Sequence, residues 1–100
     1  MISVYITCKD EKEAESIVKH LLQLRLIACA NLFPVRSLYW WKDKIQDEKE
    51  VAIIAKATDE KFAAIVDEVK HLHSYEVPCI VALPWKDSNP EYGQWVENET

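Results

Sequence analysis

Between Ser37 and Ala57 the chain reads SLYWWKDKIQDEKEVAIIAKA. Two extended runs flank a polar turn, Lys42 to Lys44, with Asp43 favoured at its tip. The stretch reads as a long hairpin over 38–57. No other feature limits the fold as much. Side chains alternate across a strand, so Tyr39, Trp40 and Trp41 cannot all point one way. At least one of them faces away from any core the chain builds. Burying a Trp removes 150–250 Å² from water, or ~4–6 kcal/mol gross, so a bare indole invites a cover.

The remaining elements follow from period and punctuation. Ile2 to Thr7 alternates as a strand, with Ile2, Val4 and Ile6 on one face. Asp10 reads as a helix N-cap and Glu13 as its capping-box partner. Ala14, Ile17, Val18, Leu21 and Leu22 follow at helical spacing, and the helix is expected to end near Arg25. Ala28 to Trp41 is extended, and Pro34 confines it to an edge or a bulge. Ile45 to Ala57 is the return strand. Thr58 or Asp59 is expected to cap a second helix whose stripe is Phe62, Ile65, Val66, Val69 and Leu72. Cys79 to Trp85 reads as an apolar strand, and a short helical turn near Tyr92 to Val96 closes the chain.

The order is β-α-β-β-α-β. It predicts an α+β, ferredoxin-like sandwich, a four-stranded antiparallel sheet with two helices on one face. With 100 residues, one Gly (Gly93) and no linker, residues 1–100 read as a single domain. The second sheet face ought to be polar, yet Tyr5, Ile54, Val81 and Leu83 keep it apolar. No spare element is evident to cover it, so another copy of the chain is the expected partner.

The formal net charge of −5, with no basic stripe, excludes nucleic acid and an anionic membrane as main partners. No stretch approaches the length of a membrane span, and the opening apolar run is too short for a signal peptide. Cys8, Cys29 and Cys79 are odd in number and form no C-x-x-C, as expected of free thiols in the cytoplasm. A soft-metal chaperone would need a second thiol three residues after Cys8, where Glu11 stands. A phosphate-cradling loop is excluded by the acidic CKDEKE. No nucleophile and base lie close in sequence, so no enzyme is expected.

Three segments, RLIACANL, SLYWWKDKIQDEKEV and LHSYEVPCIVALP, resemble in order and spacing the motifs of the CutA family, the divalent-cation tolerance proteins. The likeness runs from the first strand to the Tyr92…Trp95 pair. It implies a tight PII-like homotrimer in which Tyr39, Trp40 and Trp41 lie at the subunit interface, and a role in the response to metal ions. It also implies a metal site, with copper foremost, at Cys8, His73 and Cys79. Thiolate and imidazole suit such a soft ion. Against that stands a structural reading: both cysteines as small apolar strand residues, and His73 serving a helix C-terminus.

By the same resemblance, Lys56, Tyr75, Tyr39 and Trp41 would line an inter-subunit ligand cleft. Lys56 alternatively snorkels at the rim. The chain departs from the family pattern at Asp43, where Gly is usual at the hairpin tip. Ser74 breaks a His-Pro-Tyr, and Cys79 replaces an acidic residue. The alternative function is a PII-like scaffold that binds a small molecule, with metal binding incidental.

Overall fold

Ile2, Val4, Ile6 and Cys8 project from one side of β1 (Ile2–Cys8), and all four are buried. The computed structural model describes residues 1–100. After β1 come α1 (Glu11–Gln23), β2 (Cys29–Trp41), β3 (Lys44–Ala57), a 3-10 turn at Asp59–Lys61, α2 (Phe62–Leu72), β4 (Ile80–Pro84) and α3 (Pro90–Glu99). The strands form one antiparallel sheet in the order β2-β3-β1-β4. That is the ferredoxin-like order.

The register fixes what each face carries. Val4 pairs with Ala55 and Ala82, and Ile6 with Ile53 and Ile80, so these residues share the helix-covered face. Ala14, Ile17, Val18 and Leu21 of α1, and Ile65 and Val69 of α2, close the core above them. On the reverse face Tyr5 meets Ile54 and Val81.

Helix α3 supplies a cover the sequence did not promise. It is a full ten-residue helix, begun by Pro90 at its first turn, rather than a short turn. The Tyr92 hydroxyl lies 3.1 Å from Cys29 Sγ on the reverse face, and Trp85 Nε1–H donates to Ser3 Oγ at 2.7 Å. Trp85 and Tyr92 stack with ring centroids 6.0 Å apart. One end of the second face is therefore sheltered from within the chain, while Val81 and Leu83 stay exposed.

Local geometry refines the expected helix end and hairpin tip and corrects the expected cap of the second helix. Helix α1 stops at Gln23, and Arg25 takes φ 57 just past its C-cap Leu24. The Leu26 N–H reaches the Leu21 carbonyl and the Arg25 N–H that of Leu22, a Schellman closure with Arg where Gly is usual. Thr58 makes no side-chain cap, and its hydroxyl is buried without a partner. Asp59 instead pairs with the N-terminal ammonium. At the hairpin tip both Lys42 and Asp43 adopt positive φ, 50 and 62, as the two-residue turn between Trp41 and Lys44 demands.

β1 contacts β3 only between Val51 and Ala57. The pairs from Val35↔Glu50 to Trp41↔Lys44 therefore run on as a bare two-stranded ribbon, and the molecule extends 44 × 25 × 21 Å. Within it Trp40 pairs with Ile45, and Trp40 is 72% exposed. Tyr39 and Trp41 take the opposite side, and Trp41 is 38% exposed. The ribbon is thus apolar on both sides.

Candidate functional site

The loop between α2 and β4 folds back along the ribbon, and two groups of functional side chains meet around it. The first lies on the helix-covered face. Asp10 Oδ1 caps α1 by accepting from the Glu13 N–H at 2.8 Å. The Glu13 carboxylate returns to the Lys9 N–H at 3.1 Å, one residue earlier than expected, and accepts the Ser74 N–H at 3.0 Å. His73 Nε2 faces the Thr7 carbonyl at 2.7 Å and therefore carries the proton. Its Nδ1 accepts the Tyr75 N–H at 3.1 Å.

Ligand atoms of Cys8, Glu13 and His73 all lie within 4.8 Å of one another. Of the trio named from the sequence, Cys8 and His73 are brought together and Cys79 is not. Cys8 shares the face of Ile6, which pairs with Ile80. Cys79 precedes Ile80 and falls to the opposite face, so Glu13 takes its place.

Thiol, imidazole and carboxylate are the right donor types for a borderline or soft ion. As folded, however, the set is closed. Both His73 nitrogens are engaged. Burial, and then the Glu13, Glu50 and Asp10 charges, push the Cys8 thiol up to about 12, which keeps its proton in place. A metal ion entering here would have to displace the Cys8 proton and free a His73 nitrogen.

The second group forms an open cleft of about 910 Å³ on the other face. The ribbon contributes Tyr39, Trp41, Glu48 and Glu50, and the loop Tyr75, Glu76 and Cys79. The Tyr75 hydroxyl donates to Glu50 Oε2 at 2.5 Å, and its ring leans on His73 with centroids 4.7 Å apart. Burial, and then the Glu50 carboxylate, push the Tyr75 hydroxyl far up. Burial followed by Glu48 raises the Tyr39 hydroxyl.

The cleft named from the sequence is thus partly assembled: Tyr39, Trp41 and Tyr75 meet, and Lys56 does not. Lys56 pairs with Ser3 and Cys29 and bonds the Asn31 side chain. Six residues of strand, about 20 Å, separate it from Glu50. Glu50 itself was missed. Its signal was parity, because it shares its face with Ala52 and Ile54.

A sheet order of β2-β3-β1-β4 with α1 and α2 on one face and an overlong β2–β3 hairpin define an α+β protein of the ferredoxin-like class. The profile of the CutA1 divalent ion tolerance protein family matches residues 2–99. The chain belongs to that family.

The divalent-cation tolerance protein CutA of Archaeoglobus fulgidus is 46% identical over 94 residues, which cover 94% of this chain and 92% of that protein. Its solved structure, described as that of a periplasmic divalent cation tolerance protein, superposes with TM-score 0.96 at 44% identity over 98% and 96% of the two chains. CutA1 of Pyrococcus horikoshii gives 0.96 at 43% identity over 100% and 98%. A protein from Nostoc sp., described as PII-like CutA in apo form, gives 0.93 at 29% over 100% and 97%. No helix of the chain is long and apolar enough to cross a membrane.

Proposed function

We propose that this divalent-cation tolerance protein acts in the cytoplasm as a PII-like homotrimer, without catalysis of its own, and receives a ligand in the cleft beside its hairpin. One observation carries the assembly. The ribbon beyond Val35 and Glu50 has no third strand and exposes Leu38, Trp40 and Ile45 on one side and Trp41 on the other. An isolated two-stranded ribbon is marginal in water, and a second copy supplies the missing support. Three free thiols are consistent with a reducing compartment.

Sedimentation velocity at low concentration tests this. Three chains of 11.6 kDa make a species near 35 kDa, and Trp41→Ala loosens it. A wild-type species of one chain overturns the reading.

Binding of a divalent ion, copper foremost, is the second reading, favoured by the proximity of Cys8, Glu13 and His73. It requires His73 Nδ1 to release the Tyr75 N–H. Copper affinity that survives Cys8→Ser combined with His73→Ala, read by calorimetry, excludes this cluster as the site.

A further inference from the structure

Glu50 stands out in the cleft. It is 6% exposed, and its one hydrogen bond comes from Tyr75. No lysine, arginine or histidine forms an ion pair with it. A carboxylate this far from water is ordinarily matched by a cation. Its field reaches its neighbours: burial raises the Cys79 thiol, a hydrogen bond with Thr7 opposes this, and the Glu50 charge adds a smaller rise.

The rest of the rim deepens the imbalance. Arg36 is the one basic residue lining the cleft, and Asp47 already holds it through bonds of 2.9 and 2.7 Å. Glu48 and Glu76 add negative charge. An anionic ligand would meet repulsion here. A divalent ion would find too few donors, because the only close set of three metal-ligating side chains is Cys8, Glu13 and His73. Aromatic faces beside a carboxylate are instead the surroundings that attract an organic cation.

We infer that the cleft takes a small organic cation, an ammonium or guanidinium group on a short carbon frame, with its charge against Glu50 and its frame against Tyr39, Trp41 and Tyr75. The inference rests on the proposed function in taking this cleft as the ligand site. Glu50 supplies the counter-charge, and the aromatic walls supply the apolar contact.

Calorimetry and tryptophan fluorescence on the full chain, with agmatine and choline as probes and copper(II) and inorganic phosphate as comparators, test it. At least one amine binds saturably, phosphate does not, and Glu50→Gln weakens the amine at least tenfold. Tyr39→Leu, which leaves Glu50 in place, weakens it several-fold and serves if Glu50→Gln does not fold. No binding of either amine to folded wild-type protein overturns the inference, as does unchanged affinity in Glu50→Gln. Loss of assembly in Glu50→Gln, without amine binding to the wild type, overturns it too, because a basic residue of a second copy then fills the role. A trimer that binds no amine sinks this inference alone, whereas a single-chain species sinks the proposed assembly whatever the amines do.

Discussion

The Tyr75 hydroxyl and Glu50 Oε2 lie 2.5 Å apart, a bond that joins the loop after α2 to the middle of β3. Tyr75→Phe deletes the only donor to a buried carboxylate. An unsatisfied buried acceptor costs ~1–3 kcal/mol. Urea unfolding of the variant shows a lower midpoint at unchanged slope. An unmoved midpoint would mean that water or a neighbour replaces the hydroxyl at no cost.

Glu13 ties the start of α1 to the same loop through the Lys9 and Ser74 N–H groups. Burial raises its carboxyl, but the hydrogen bonds from Ser74 and Lys9 outweigh burial and hold it below the ordinary value of 4.5. A depressed carboxyl lends stability that is fully present above 4.5 and is lost as pH falls through its folded value. Glu13→Gln therefore unfolds more easily at pH 7, by ~1–3 kcal/mol for the loss of the charge that these two donors meet. The gap between variant and wild type narrows on acidification below the ordinary value. A gap that stays constant down to acid pH would refute the assignment.

Cys8 is fully buried, and its proton is held up to about 12. Only the thiolate attacks an alkylating reagent. In the folded protein iodoacetamide leaves Cys8 unmodified at mildly alkaline pH, and unfolding in guanidinium restores ordinary reactivity. Mass spectrometry of the peptide bearing Cys8 reads the result.

Asp43 sits at φ 62 in the hairpin turn. Gly adopts that conformation without the clash that a Cβ creates, so Asp43→Gly stabilises by ~0.5–1 kcal/mol. The Lys42 amine lies 5.8 Å from the Trp41 ring, and this variant leaves it undisturbed. Thermal unfolding shows a raised midpoint. A lowered one would mean that the Asp43 side chain itself holds the turn.

The sequence made the elements readable where apolar spacing was strong, as in Ile2–Val4–Ile6 or Ala14–Ile17–Val18–Leu21, all of them buried. It failed where the signal was weak or long-range. Helix α3 carries Gly93 and only one buried residue, Val96, so its period hardly shows. Glu13 looked complete as a cap, and nothing local announced Ser74, a residue 61 positions away. Cys8 and Cys79 were grouped with His73 only through the family resemblance. Strand parity across β1 and β4, fixed only by the register, sets them on opposite faces. Lys56 was separated from the aromatic cleft for the same kind of reason: its position along β3 outweighs its charge.

The ribbon beyond Val35 and Glu50 also has a kinetic consequence. Its own cross-strand pairs are close in sequence and can form early, but they do not hold firmly until a third strand arrives. On the proposed assembly, maturation of this arm is bimolecular. At high dilution its amides exchange rapidly with deuterium while those of β1 stay protected, and concentrating the sample slows the exchange of the arm alone.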